Sequence, residues 1–335
     1  MIQTKQIESA HLAANLAGMT GQRDLVVYLP PGYETSDKRY PTAYLLHDYH
    51  TRAAFWPYGP SLEFAAIHPP IQDVLDAAIA GGQPEMIVVM PDGWGKYGCS
   101  MWVDSPVNGN FEQFIIRDLV AYVDANFRTI AKAESRGVFG NGAGGFGAWH
   151  LASRNPTVFS AAALLSAESN FNLGLKSLFY RYFGSIFPKE PAGPTRTSMD
   201  SWMVYGYSAA FSPNPKNAPH PVDFPYHFPS GEVIPELWDR WLSFDPVVSW
   251  RSRQDNLRKL RGILLDVGTR DEGGLHYGHR ILSKNLTSAG IAHEAREYEG
   301  THTSKMYERI PLAYGWLGGV LAPADTKPVA GARAT

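Results

Sequence analysis

Short apolar runs alternate along this chain with stretches in which apolar positions recur every three or four residues. The runs lie at 24–29 (DLVVYL), 40–46 (YPTAYLL), 86–90 (MIVVM), 159–165 (FSAAALL) and 262–267 (GILLDV), and each predicts a β-strand; the more polar 292–298 (AHEAREY) reads as a last strand. The run at 86–90 is stopped by Pro91, Asp92 and Gly93. Helical spacing appears at 71–80, closed by Gly81 and Gly82, at 276–289, closed by Gly290, and at 304–321. It also appears at 111–127, where Phe111, Phe114, Ile115, Leu119, Tyr122 and Val123 share one face. Continuous apolar strands separated by helices imply an α/β chain with a mostly parallel central sheet covered on both faces.

The interval 169–250 breaks this rhythm. It is rich in Pro, Phe, Tyr and Trp, as in FSPNPKNAPHPVDFPYHFP, and reads as a cap-like insertion over the strand ends. Most of its aromatics are expected to pack the insertion onto the sheet, with some left to line a pocket. The segment 322–335 is small and polar and reads as a loose tail. No internal repeat is present, so the 335 residues are expected to form one domain carrying one insertion.

The stretch 135–150, SRGVFGNGAGGFGAWH, reads as a strand, a glycine-dense turn and the start of a helix. Serine hydrolases place their nucleophile on such a turn, in the pattern G-x-S-x-G. Here the five positions are Gly140, Asn141, Gly142, Ala143 and Gly144: the scaffold is present and the serine is not. The same residues satisfy G-x-G-x-x-G through Gly140, Gly142 and Gly145, a dinucleotide fingerprint. Against that reading, the first acidic residue after the next apolar run is Glu168, later than the usual spacing. Close helix–strand packing alone accounts for Gly144, Gly145 and Gly147 but not for the whole pattern.

Other parts of a hydrolase flank the turn. Acyl transfer needs a base for the nucleophile's proton and a carboxylate to orient that base, in the chain order nucleophile, acid, histidine. Asp271 follows the strand GILLDV in a loop and fits the acid; Asp266 lies inside the strand, and Glu272 is a neighbouring alternative. His302, in EGTHTSK between the last strand and last helix, fits the base. An oxyanion hole needs two backbone N–H donors. Ala143, after the elbow position, is one candidate, and Tyr49 in YLLHDYH is the other. His47, Asp48 and His50 crowd together, but without metal-ligand spacing, so neither a metal nor a cofactor is expected.

Net charge is −2, which gives no reason to expect nucleic acid or an anionic membrane as partner. The single cysteine, Cys99, excludes an intrachain disulfide and a zinc knuckle. The first 20 residues lack the basic cluster and apolar core of a signal peptide, and no run approaches the ~18 apolar residues of a membrane span. A cytoplasmic location is the expectation.

Together these pieces resemble the esterase family of α/β hydrolases, which includes S-formylglutathione hydrolases, feruloyl and enterochelin esterases and mycolyltransferases. YPTAYLLHD resembles the family's early strand and oxyanion loop. VVMPDG and MWVDSPVNGNFEQFIIRDLVAYVDANF resemble the run leading to the elbow. RGVFGNGAGGFGAWHLASRNPTVFSAAALLSA resembles the elbow, its helix and the next strand, and DVGTRDE and EGTHTS the acid and histidine loops. The resemblance implies an α/β-hydrolase fold, a carboxylic ester hydrolase and a small-molecule ester or acyl substrate, with the aromatic cap favouring an apolar or aromatic one. Two positions depart from the pattern: Gly142 stands at the family's serine, and His47-Asp48 at its common His-Gly.

Three functional readings follow. The first is a serine esterase whose nucleophile has been replaced by Gly142, in which Gly142→Ser restores ester hydrolysis. The second is a natural serine-less enzyme in which removal of the side chain opens space beside His302, and the His302–Asp271 pair acts as general base for lyase or carbon–carbon bond chemistry. The third is a non-catalytic protein that keeps the pocket for binding.

Overall fold

The computed structural model describes residues 1–58, 69–177, 179–180, 199–228 and 230–321. The tail expected at 322–335 and part of the insertion lie outside the described residues. The framework is a sheet of eight strands: β1 (Ile2–Glu8), β2 (Gln22–Tyr28), β3 (Thr42–Leu46), β4 (Ile87–Pro91), β5 (Arg136–Asn141), β6 (Ala161–Leu165), β7 (Gly262–Gly268) and β8 (Glu294–Tyr298). Their order is β1-β2-β4-β3-β5-β6-β7-β8. The pairs β1–β2 and β2–β4 are antiparallel and the other five are parallel. Every residue of β3, β4, β5 and β6 is buried, which is why β3, β4 and β6 stand out in the sequence as apolar runs; β5, RGVFGN, is buried as well but carries Arg136 and Asn141 at its ends. Strand β1 was not expected. It is an edge strand with only Ile7 buried, and its polar composition, IQTKQIE, gives no apolar run to detect.

Alternate strand residues feed two cores. Leu25, Val27, Tyr44 and Leu46 point to one face; Val26, Tyr28, Ala43 and Leu45 point to the other. The second face is covered by α1 (Ile71–Ala80), through Ile71 and Leu75, together with a C-terminal helix over Met306–Val320. The first is covered by three helices. One is α2, built from Phe111–Gln113, a π-helical Phe114–Leu119 and Val120–Asn126; the others are α3 (Ala143–Arg154) and a helix over Leu275–Ser288. Among the described residues no helix is long and apolar enough to cross a membrane.

The segment between β6 and β7 contributes α4 (Met199–Phe211) and α5 (Pro235–Leu242); the helices over Leu275–Ser288 and Met306–Val320 are then α6 and α7. Phe171, Phe179, Phe211, Tyr226, Trp238 and Trp241 are buried in the first core, and Phe211 meets Trp241 edge-on at 5.5 Å. These aromatics pack the segment between β6 and β7 into the first core and are not among the residues that line the cavity described below.

A polar cluster ties α2 to α3. The buried Glu112 carboxylate accepts from His150 Nε2 at 3.0 Å, Arg154 Nε at 2.9 Å and Asn155 Nδ2 at 2.8 Å. Burial opposes its charge, but these partners outweigh it and hold its pKa at about 2. Glu112→Ala is expected to destabilise the fold by about 2 kcal/mol, because charged hydrogen bonds are lost and buried donors are left without a partner. A lowered urea midpoint at unchanged slope would show it.

The register sets the site. Leu46 pairs with Gly140 and Leu165 with Asn141, so β3, β5 and β6 end together. Gly268 pairs with Tyr298, which brings the loops after β7 and β8 to the same end of the sheet.

Candidate active site

The turn after β5 holds Gly142 at φ 54°, ψ −118°, a conformation that L side chains rarely adopt. Its N–H donates to Leu165 O at 3.0 Å, and its carbonyl accepts from Phe146 N at 2.9 Å. The turn is therefore anchored to β6 on one side and opens α3 on the other. A Cβ at Gly144 would lie 2.1 Å from Leu46 O, so a glycine there lets α3 pass directly over the end of β3.

Across a narrow gap, the loop after β3 presents Asp48. His47, fully buried, fixes this loop: its Nδ1–H donates to Asp48 O at 2.8 Å, and its Nε2 accepts from Gly93 N at 2.8 Å. The Asp48 side chain then folds back. Its Oδ1 accepts from Tyr49 N at 2.6 Å and from Ala143 N at 2.9 Å. Those are the two donors read from the sequence as an oxyanion hole. Here they converge on one oxygen of the chain's own carboxylate, at the N-terminus of a twelve-residue helix that favours an anion.

Asp48 also occupies the place expected to be hollow. A Cβ at Gly142 would lie 2.0 Å from Asp48 Oδ1 and 2.5 Å from its Cγ. The expectation of open space beside His302 is corrected accordingly: a carboxylate fills it. A serine side chain at position 142 would have to displace the Asp48 carboxylate, so the expectation that Gly142→Ser restores a working nucleophile carries the condition that Asp48 moves. The same carboxylate argues against a pyrophosphate at this turn, because the N–H that would receive it is already bonded to an anion.

His302 and Asp271 meet as the chain order suggested. His302 Nδ1–H donates to Asp271 Oδ2 at 2.8 Å, and its Nε2 faces Asp48 Oδ2 at 3.5 Å. Asp271 is held by Gly273 N at 2.9 Å, just before α6. Glu272, the neighbouring alternative, accepts from the His302 backbone N–H at 3.0 Å and so fixes the loop rather than the ring. Asp266 is ion-paired with Arg309 of α7, through Arg309 Nε at 2.9 Å.

A fourth group was missed in the sequence. Glu168, on the loop after β6, accepts from the Tyr207 hydroxyl, and its second oxygen, Oε2, is buried without a hydrogen-bond partner among the described residues. Ala167 N donates to the buried His279 Nε2 at 3.0 Å, which fixes this loop. Asp48, Glu168, Tyr207 and His302 all line one cavity of about 360 Å³, together with apolar groups such as Phe55 and Leu275. Tyr207 of α4 stacks on Tyr49 with ring centroids 5.1 Å apart, and Met203 of the same helix also lines the cavity.

The environments separate the charges. Burial pushes the Asp48 carboxyl up, but the His302 ring and the two N–H donors outweigh it and hold the pKa at about 2. Asp271 is likewise lowered against burial by His302. Burial opposes the charge on His302, yet its bonds to Asp271 and Asp48 raise its pKa well above the ordinary value. For Glu168, burial reinforced by the Asp48 charge pushes the pKa up to about 8. At neutral pH the cleft therefore holds one carboxylate in the two N–H donors, one imidazolium beside it and one protonated carboxyl, a division typical of acid–base sites.

Solved structures share this architecture. A ferulic acid esterase superposes with a TM-score of 0.63 at 18% identity, covering 96% of this chain and 99% of that one. An S-formylglutathione hydrolase from Agrobacterium tumefaciens gives 0.58 at 14%, covering 96% of each. The fold is that of the α/β hydrolases. The chain belongs to the esterase family: the family model described as "Putative esterase" matches residues 17–309. An esterase of Mycobacterium tuberculosis is 29% identical over 293 residues, 82% of this chain and 51% of that protein. The chain thus spans about half the length of the curated relatives it matches.

Proposed function

We propose that this chain is a hydrolase of small, largely apolar molecules that works without a serine, with Asp48 acting where the family's nucleophile would act. His302, oriented by Asp271, is its proton-transfer partner, and the N–H groups of Tyr49 and Ala143 hold the charge. One observation carries this reading: Asp48 Oδ1 takes both N–H bonds and the volume of a side chain at position 142. The two departures from the family pattern, Gly142 and Asp48, are complementary, which favours a natural exchange over a trapping substitution made in an otherwise ordinary site.

A carboxylic ester of the usual kind would need its carbonyl oxygen in that same seat. The apolar lining of the cavity, with Phe55, Leu175, Met203, Leu275 and Met306, and the name of the ferulic acid esterase with the same fold support an apolar or aromatic substrate. The alternative of His302 as resting-state general base is weakened by its raised pKa, which leaves it protonated when a base must be free.

The test is insensitivity to a serine-directed fluorophosphonate. Turnover across a panel of aryl and alkyl esters and other hydrolysable compounds is expected to survive treatment that silences a serine hydrolase. Loss of turnover after treatment, or no turnover of any member, would overturn the reading.

A further inference from the structure

The arrangement of Asp48 has a consequence for which bond is broken. Oδ1 sits in the two N–H donors, and Oδ2 is left toward His302 and the cavity. An incoming carbonyl oxygen finds the hole occupied. But the carboxyl carbon of Asp48 is itself an acyl centre, already placed with one oxygen where a tetrahedral oxyanion is stabilised. Chemistry that makes an ester on Asp48 and then hydrolyses it uses every part of the site as built.

We propose that Asp48 Oδ2 attacks a saturated, electrophilic carbon of the substrate, and that the substrate class is a strained cyclic ether, an epoxide. This inference rests on the serine-free reading of the same cleft. Attack forms the Oδ2–carbon bond and breaks the ring carbon–oxygen bond, whose electron pair goes to the ring oxygen. In-line displacement sends that oxygen to the side of the carbon opposite Asp48 Oδ2, so the proton it needs comes from a group on the cavity wall other than the Asp48 loop. Glu168 is suited to give it: its Oε1 is held by Tyr207, and its Oε2 is buried with no partner among the described residues. The carboxyl is kept protonated up to about pH 8.

The alkylated Asp48 carries no charge, so His302 loses one of the two anions that held its proton. That proton passes to the Glu168 carboxylate and leaves a neutral imidazole. His302 then takes a proton from water, and the hydroxide adds to Asp48 Cγ. The oxyanion forms on Oδ1 between Tyr49 N–H and Ala143 N–H. Collapse breaks the bond from Cγ to the alkyl oxygen, and the departing alkoxide takes the proton of the new carboxyl group. Asp48 is again an anion, His302 a cation and Glu168 neutral; an epoxide and water have become a diol. An acid is required here because the leaving group is an alkoxide. An alkyl halide needs none, which is why the protonated Glu168 points to the ring ether.

The experiment uses styrene oxide with the intact chain and with His302→Gln, which keeps a polar side chain but no base. The expected result is an adduct of one styrene oxide on the Asp48-containing peptide of His302→Gln, seen by mass spectrometry. Its release should be slower than in the unsubstituted chain by on the order of a thousandfold. In the unsubstituted chain, repeated turnover in heavy-oxygen water should label the Asp48 carboxylate. Diol formed with label in the product alone would overturn the proposal, as would an adduct on another residue. No adduct from styrene oxide or from the smaller propylene oxide, in either protein, would also overturn it. An adduct from 1-bromobutane but from neither epoxide would overturn the substrate class. Fluorophosphonate-resistant turnover of the hydrolysable panel with no alkylation of Asp48 would sink this inference alone. Unchanged turnover in Asp48→Asn would sink the serine-free reading with it.

Discussion

The double variant Asp48→Gly/Gly142→Ser is expected to hydrolyse p-nitrophenyl acetate on the order of a thousandfold faster than the unsubstituted chain, whereas Gly142→Ser alone gains nothing. A serine Cβ at position 142 would lie 2.0 Å from Asp48 Oδ1, too close for any real contact. The backbone there, at φ 54° and ψ −118°, is strained for any side chain, so the single variant is also expected to lose about 1–3 kcal/mol. Removing the Asp48 side chain clears the space and empties the two N–H donors for a substrate oxyanion. The His302–Asp271 pair then stands ready for a serine hydroxyl, as in other acyl-transfer sites. If Gly142→Ser alone reached the rate of the double variant, Asp48 would be a mobile bystander and its position no obstacle.

The sheet was largely legible because its central strands are buried on both faces, so that β3, β4 and β6 stand out as apolar runs, while β5 was read from the glycine-dense turn that follows it. One edge was less so: β1 carries polar residues on a ladder that backbone hydrogen bonds hold regardless of side chain. Within α2 the helical spacing predicted the buried face correctly, but nothing in it announced the π-helical turn at Phe114–Leu119. The loop positions of Asp271 and His302 followed from strand order, since a parallel sheet delivers successive loops to one end.

The role of Asp48 did not follow. Nothing local says that a side chain will curl onto the N–H of the next residue and reach a turn far along the chain. The available signal was the coincidence of two departures, a carboxylate gained where glycine is common and a hydroxymethyl lost opposite it. Each was visible alone, and only packing joins them. Glu168 was visible merely as an acid too late for a nucleotide loop. Its significance comes from burial beside Asp48, a relation between β3 and β6 loops that spacing cannot express.

Replacing Asp48 by asparagine is expected to lower turnover of any true substrate by on the order of a thousandfold or more, comparable to losing a nucleophile with its positioning partners left in place. The substitution is nearly isosteric. An amide oxygen can still accept from Tyr49 N and Ala143 N, so the loop should keep its course, and what disappears is the charge. Stability supplies an independent readout with a definite pH window. The Asp48 pKa is depressed from an ordinary 3.8 to about 2, so its contribution is present above 3.8 and is lost as pH falls toward 2. The His302 pKa is raised above an ordinary 6.5, so its contribution is present below 6.5 and is lost as pH rises through the folded value. The two overlap fully between about pH 4 and pH 6.5, and there Asp48→Asn should be less stable than the unsubstituted chain by about 1–2 kcal/mol. The gap should narrow toward both extremes. In the same variant the His302 ring, followed by nuclear magnetic resonance, should release its proton at lower pH, because only Asp271 remains to hold it. A stability difference that does not vary with pH, together with an unshifted imidazole titration, would mean that the carboxylate and the ring are not coupled, and the chemistry assigned to them would have no electrostatic basis.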